Sequence, residues 1–323
     1  MTSSPAAPST TPSPVDVLVV GGGAAGLSAA TVLARSRRDV VVLDAGAPRN
    51  APADGVHAYL GHDGVPPLEL LSRGRAEVSS YGGRVVVGEA VGAHLDADRV
   101  VVTAADGSAW AARHLVVTSG AIDVLPDVPG LREQWGRGVV HCPYCHGWEV
   151  RDRRVVVLAT SPAAVHQAGL FGQLTEHLTV LVHDPDALDG AARERLTALG
   201  VEVVDGPATA LVECDGVLTG IETAAGVVRA DAVAVASVVE ARSAVLEALG
   251  VPTVDLEMFG RVAARHVEVD PMGRTSVPRV WAAGNVAEPM AQVVMAASAG
   301  VRVGAMVNAE LVTEDQERRL AGG

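Results

Sequence analysis

The chain has 323 residues, enough for about two domains at ~150 residues each. Its 25 basic and 38 acidic residues give a net charge of −13, which leaves no basic footprint for nucleic acid, and no apolar run approaches the length of a membrane span. Three cysteines and no signal-peptide pattern point to a cytoplasmic protein with no membrane partner, whose thiols do chemistry rather than staple the fold.

Residues 1–13, rich in Ser, Thr and Pro, are expected to form a disordered tail. The β-branched run Val15 to Val20 predicts the first strand, and it leads at once into Gly21-Gly22-Gly23-Ala24-Ala25-Gly26. An apolar helical pattern follows from Leu27 to about Arg35. A second strand, Asp39 to Leu43, ends in Asp44, eighteen residues after Gly26, with Ala45 next to it. Strand, glycine-rich turn, helix, strand and acid form the order of a Rossmann dinucleotide-binding unit. In that unit Gly21 makes the tight turn, Gly23 lets the backbone approach a pyrophosphate, and Gly26 allows close packing of helix on strand. Asp44 then binds ribose hydroxyls. The competing reading is a glycine-rich turn that binds nothing, and the flanking strand and acid argue against it.

The stretch His141-Cys142-Pro143-Tyr144-Cys145-His146-Gly147-Trp148-Glu149 sets two cysteines in Cys-x-x-Cys spacing. Such a pair closes a small redox-active disulfide, and a helix N-terminus beneath it favours the thiolate. Half of a zinc site is the alternative, but it needs two more ligands in a second cluster. Cys214 stands alone, and His141 and His146 are too near in sequence to complete a tetrahedron, so no metal is expected. Trp148 is expected to pack as a core aromatic under the redox helix. Cys214 sits at the end of a predicted strand and reads as an inert thiol. With nine Trp, Tyr and Phe in all, the core must come from Val, Leu and Ala. Near the C-terminus, Val280 to Val286 reads as a buried strand with a tight turn at Gly284-Asn285. A helix of small residues is expected to begin at Met290, include Gln292 and Val293, and run to about Val307. Its small side chains allow close approach of a large ligand or a sheet, and its first amides can face that ligand.

Four stretches carry a resemblance: Val19 to Gly26, Thr118-Ser119-Gly120, Gly136-Arg137-Gly138-Val139 before the Cys pair, and Ala282-Ala283-Gly284-Asn285. With them the chain resembles the low-molecular-weight thioredoxin reductase-type flavoproteins over almost its whole expected ordered length. The resemblance implies an α/β fold of two Rossmann-like, three-layer domains, the second inserted into the first. Residues 14–117 and 243–323 are then a discontinuous FAD-binding domain, and 118–242 an inserted domain that carries the Cys pair and in the family binds NADPH. FAD is the implied cofactor and a homodimer the implied assembly. By the same resemblance, Arg49 and Asn50 lie against the FAD pyrophosphate or ring, and the helix start at Gln292 and Val293 faces the flavin. The loop from Gly55 to Gly64, with His57, Tyr59 and His62, approaches the flavin and a substrate pocket.

The inserted domain departs from the family. After the strand Val155 to Leu158, the positions of the second glycine fingerprint hold Ala159, Ser161 and Ala164, and Pro162 removes an amide donor. Where a basic cluster would grip the 2′-phosphate of NADPH, Asp184 and Asp186 stand instead. The domain is therefore expected to be a degenerate nucleotide fold. Some reductase-like flavoproteins keep FAD and the Cys pair but lose the nicotinamide site, and oxidise small-molecule dithiols with oxygen, as in the making of epidithiodiketopiperazines and dithiolopyrrolones. The chain resembles them in carrying His146 after the second cysteine, where thioredoxin reductases usually have Asp. The expected activity is dithiol oxidation. A substrate thiolate attacks Cys142, Cys145 lies by resemblance next to the flavin, His146 moves protons with His141 or His57 in reserve, and hydrogen peroxide leaves. The alternatives are a thioredoxin reductase, fed by NADPH or another donor and acting on a thioredoxin-like protein, and a non-catalytic flavoprotein that senses redox state through the Cys pair.

Overall fold

The computed structural model describes residues 13–242 and 244–322, so the expected tail lies outside the described residues except for Ser13. That residue already belongs to β1 (Ser13–Val20), which starts inside the span expected to be tail. β1 is central in a sheet ordered β3 (Arg84–Val87), β2 (Val40–Asp44), β1, β6 (Ala109–Val117), β5 (Arg99–Ala104) and β4 (Ala90–Asp96), and the strand Val280–Ala282 pairs with β6. β1 runs parallel to both neighbours, while β4 and β5 turn back antiparallel. Covered on both faces, β1 and β2 need the unbroken Val and Leu runs that the sequence supplies.

α1 (Ala24–Arg35) crosses from β1 to β2 and packs along the C-terminal helix Val293–Ala321. A Cβ on Gly300 would stand 2.0 Å from the Ala25 carbonyl oxygen, and one on Gly304 2.8 Å from that of Ala29. The stripe of small residues thus serves a close contact with another helix, not with a sheet or ligand as expected. The helix begins at Val293 rather than Met290 because the Asn285 side chain ties the carbonyls of Glu288, Pro289 and Ala291 into a loop. It also continues past Val307 to Ala321, and Glu314 there pairs with Arg113, His114 and Arg279.

Two adjacent antiparallel strands, Ala121–Val124 and Val238–Ala241, carry the chain out of this sheet and back. Between them lies a second, five-stranded parallel sheet in the order Glu202–Asp205, Leu178–Val182, Val155–Ala159, Ala232–Val235, Val139–Val140. The connecting strands are themselves extended into a four-stranded sheet by Arg261–Val267 and Thr253–Met258. α2 (Pro67–Ser80) packs against α1, α3 (Pro143–His146) follows the strand Val139–Val140, and α4 (Ala163–Phe171) follows Val155–Ala159. The core is mainly Val, Leu and Ala, with Trp281 and Phe171 its largest buried side chains.

Trp148 departs from expectation: it is 66% exposed, and the Arg151 guanidinium lies over its ring at 4.1 Å. α3 is only four residues long, and after it Gly147, close against Leu174, and Val150 are buried where Trp148 is not. Cys214 ends the strand Ala208–Cys214 and is exposed. Among the described residues no helix is long and apolar enough to cross a membrane.

Candidate active site

A single cavity of about 2110 Å³ runs from the turn after β1 to the Cys pair. That exceeds the ~300–1,000 Å³ of ordinary ligand pockets and suits an extended dinucleotide with a second molecule beside it. The cavity is lined at one end by Gly21, Gly23, Ala24, Ala25, Asp44 and Ala45, and further along by Arg49, Asn50, Gly284, Asn285, Gln292 and Val293. Cys142, Cys145 and His146 line it too. Gly26 is absent from the lining, since it is buried behind the turn, where an added Cβ would lie 1.9 Å from the Gly21 carbonyl oxygen.

The three fingerprint glycines differ in what they do. Gly21 has φ +102°, and a Cβ there would meet the Thr118 carbonyl oxygen at 2.3 Å. By contrast, a Cβ on Gly23 would meet no protein atom within 4 Å, so this position opens onto the cavity. Both α1 and the C-terminal helix begin at the cavity without a side-chain cap, leaving their first amides for an anion. Asp44 accepts hydrogen bonds from the amides of Gly22 (3.0 Å) and Gly46 (3.2 Å), which holds its carboxylate at the cavity wall. These are the features an FAD cradle requires. Asn285 differs: its side-chain amide is fully engaged with the loop carbonyls that set up the last helix.

Arg49 has a carboxylate partner that the sequence did not announce. Its guanidinium grips Asp123 through two hydrogen bonds of 2.7 and 2.6 Å, and Asp123 also accepts from the Ser237 hydroxyl at 2.7 Å. Burial alone would raise the Asp123 carboxyl, but the hydrogen bonds and charge of Arg49, with the Ser237 hydroxyl, bring it below the usual range. This cluster ties the loop after β2 to the two connecting strands, beside the redox pair. His141 is occupied similarly. Its Nδ1–H donates to the Val235 carbonyl (3.1 Å), its own carbonyl accepts from Gln167, and burial lowers its pKa.

Cys142 and Cys145 are free thiols with opposite tendencies. A hydrogen bond from the Cys145 thiol, helped by the backbone amides of Tyr144 and Cys145, brings Cys142 down to about 7 against the opposing effect of burial. The same bond, with burial, raises Cys145 well above the ordinary thiol range. Near neutral pH the reduced pair is therefore a Cys142 thiolate held by a Cys145 thiol. His146 ends α3, and burial is the main cause lowering its pKa, so it is a neutral base near pH 7. In the loop from Gly55 to Gly64, His57 lines the cavity, whereas Tyr59 and His62 pack edge-on against each other and do not.

The second nucleotide fold meets the same cavity through Thr160, Ser161, Ala163, His166, His183 and Asp184. The end of its strand Val155–Ala159 is tied to the end of the next, Leu178–Val182, with the amides of His183 and Asp184 both donating to the Ala159 carbonyl. A hairpin tip from the four-stranded sheet is seated on it. The Phe259 ring stacks on His166 with centroids 5.7 Å apart, and Arg261 pairs with Asp184 at 3.4 Å. Among the described residues no group of three or more His, Cys, Asp or Glu is placed to hold a metal.

A glycine-turn cradle and a polarised dithiol in one cavity, on two nucleotide-binding folds, define a flavin-type thiol–disulfide oxidoreductase. The chain belongs to the pyridine nucleotide-disulphide oxidoreductase family, whose model matches residues 15–300. It is 30% identical over 325 aligned positions to the thioredoxin reductase sirT of Leptosphaeria maculans, covering 96% of this chain and 98% of that protein. It is 34% identical to the thioredoxin reductase tcpT of Claviceps purpurea, over 58% of this chain and 60% of that protein. Among solved structures, that of HlmI superposes with a TM-score of 0.87 at 41% identity, over 95% of this chain and 96% of that one. The protein is thus an α/β, thioredoxin reductase-like oxidoreductase with FAD as its cofactor.

Proposed function

We propose that the protein is a dithiol oxidase, which converts a small-molecule dithiol of the natural-product kind to its disulfide and delivers the electrons to oxygen. The observation that carries this reading is the second nucleotide fold. Its turn holds Ala159, Ser161 and Ala164 in place of glycines, and Phe259 and Arg261 sit on the side chains where a dinucleotide would lie. The redox pair and the first cradle are meanwhile complete.

In this reading residues 14–117 and 243–323 form the FAD domain, and 118–242 the inserted one. The first turn of α1, Asp44 and the start of the C-terminal helix hold FAD, with Arg49 and Asn50 alongside. Bound there, FAD supplies the two-electron acceptor for the reduced Cys pair and the route from it to oxygen. The protein steps follow from the thiol chemistry. A substrate thiolate attacks the Cys142 sulfur of the Cys142–Cys145 disulfide, the S–S bond breaks, and Cys145 leaves and takes up a proton, as its raised pKa requires. The substrate's second thiol attacks its own mixed disulfide and expels Cys142, whose low pKa makes it a good leaving group. His146 takes the proton from each incoming thiol. Overall, one dithiol and one oxygen become one disulfide and one hydrogen peroxide. A homodimer in the cytoplasm belongs to the same reading.

Anaerobic mixing tests it. A dithiol such as dithiothreitol is expected to bleach the oxidised flavin much faster than NADPH does, and readmitted air to restore it with one peroxide per dithiol. Rapid bleaching by NADPH with turnover of a thioredoxin would instead make the protein a reductase.

A further inference from the structure

Next to the large cavity, with His146 in the lining of both, lies a second cavity of about 240 Å³. Its walls include His57, His146 and Glu149, together with Asp54 and Arg137. Asp54, Arg137 and Glu149 are exposed, so the cavity communicates with solvent, and it has room for several waters. His146 and His57 line both this cavity and the large one, so the two side chains form part of the partition between them. The Nε2 atom of His146 is buried and has no hydrogen-bond partner. On the far side, His57 is held between two carboxylates, with Nε2 3.4 Å from Glu149 and Nδ1 3.3 Å from Asp63.

Proton traffic gives this arrangement a use. Resting on the dithiol-oxidase reading, each substrate oxidised gives up two electrons and two protons: reduction of FAD takes the electrons and one proton, and the other proton leaves to solvent, to be taken up again when oxygen becomes peroxide. A base that takes a thiol proton has to lose it before the next turnover. We propose that Glu149 and His57 form the proton outlet of His146: the proton accepted at the thiol side passes through the small cavity to this pair and on to solvent. The two partners are positioning residues that act through His146 and do not touch the thiols.

The charged groups around His146 fix the expected signs. Glu149 and Asp54 raise its pKa and His57 lowers it, while Cys145 lies on its own short helix, Cys142 just before it, and Arg137 also lines the small cavity. Glu149→Gln removes a raising charge, so the acid limb of the pH profile of flavin bleaching by dithiothreitol should move to lower pH. His57→Gln removes a lowering one, so the limb should move to higher pH. In both variants proton release, followed with an indicator dye after anaerobic mixing with dithiothreitol, should slow about tenfold. That is less than the ~10²–10⁴-fold expected for loss of the general base itself. The solvent deuterium effect should grow, and added imidazole or the variant Glu149→Asp should restore the rate. The two variants report independently, so either one that folds with bound FAD serves. A parent that bleaches with dithiothreitol and a folded variant with unchanged pH profile and unchanged proton release would overturn the outlet alone. A parent that fails to bleach would sink the underlying reading and the outlet with it.

Discussion

The Phe259 ring lies stacked on the His166 imidazole, 5.7 Å between centroids at an interplanar angle of 30°, and this contact joins a hairpin turn of the four-stranded sheet to α4 of the second nucleotide fold. Phe259 reaches His166 from a two-residue hairpin turn in which it has φ +54° and Gly260 has φ +74°. A left-handed backbone is unfavourable for an L side chain by roughly 1–2 kcal/mol. Phe259→Gly should therefore change the unfolding free energy little, since relief of the turn offsets loss of the stack. Phe259→Ala keeps the strain and loses the ring, so it should destabilise by about 1–2 kcal/mol. Thermal or denaturant unfolding of the parent and the two variants checks this: a Phe259→Ala protein as stable as the parent would mean that the ring contributes nothing, and equal stability of the two variants that the turn holds no strain.

The polarised cysteine pair makes a separate prediction. Reduced protein should be alkylated by iodoacetamide at Cys142 with a pH midpoint near the value of about 7 set by the Cys145 hydrogen bond. Cys145→Ala removes that donor, and the midpoint should rise toward the ordinary thiol value of ~8.5. Cys145→Ser retains a hydroxyl donor and should keep most of the depression. If serine and alanine behaved alike, the thiolate would owe its stability to the backbone amides rather than to its neighbour.

The first cradle was legible because each part is local: strand, glycine turn, helix and acid follow one another in one short stretch, and the physics of a tight turn leaves few residue choices. The Cys pair and its neighbouring His146 were legible by spacing. Asp123, Ser237 and Glu149 were not, because their roles depend on side chains distant in sequence. Asp123 is a lone acid in the short strand Ala121–Val124, and nothing near it in sequence names Arg49 as its partner. Phe259 and Arg261 read as ordinary hairpin residues until the fold sets them against His166 and Asp184. Trp148 does not pack under the redox helix, because α3 stops at His146 and the ring lies exposed beneath the Arg151 guanidinium. The last helix outruns its expected end near Val307 because beyond it charged pairs take over the contact with the sheet.

Two glycines of the first turn should separate ligand binding from folding. Gly23→Val places its side chain in open cavity, with no protein atom within 4 Å of the new Cβ. The variant should fold normally and be purified with little or no FAD. Gly26→Ala sets a Cβ 1.9 Å from the Gly21 carbonyl oxygen and 2.5 Å from the Thr118 hydroxyl, so α1 must move off the sheet. That variant should lose stability, by ~1–3 kcal/mol as for other overpacked sites, even in the apoprotein. Flavin absorbance and apoprotein unfolding together decide the matter. A yellow, stoichiometric Gly23→Val protein would remove this turn from the FAD site.

Glu314 anchors the far end of the C-terminal helix. Its carboxylate meets Arg113 at 2.8 Å, Arg279 at 2.7 Å and His114 at 3.2 Å, and Arg113 is only 6% exposed. Burial would raise the Glu314 carboxyl, but the Arg113 hydrogen bond and the positive charges around it bring its pKa below the usual range. A carboxyl lowered in the folded state adds stability that is fully present above its unfolded pKa of ~4.3 and is lost as the pH falls through the lower folded value. Glu314→Gln should therefore destabilise the protein by about 1–3 kcal/mol at neutral pH, the range for a lost hydrogen bond to a charged group. The gap between parent and variant should close as the pH drops below ~4. Urea unfolding at several pH values measures that gap. A difference that persists unchanged into acid would mean that Glu314 holds the helix by shape rather than by charge.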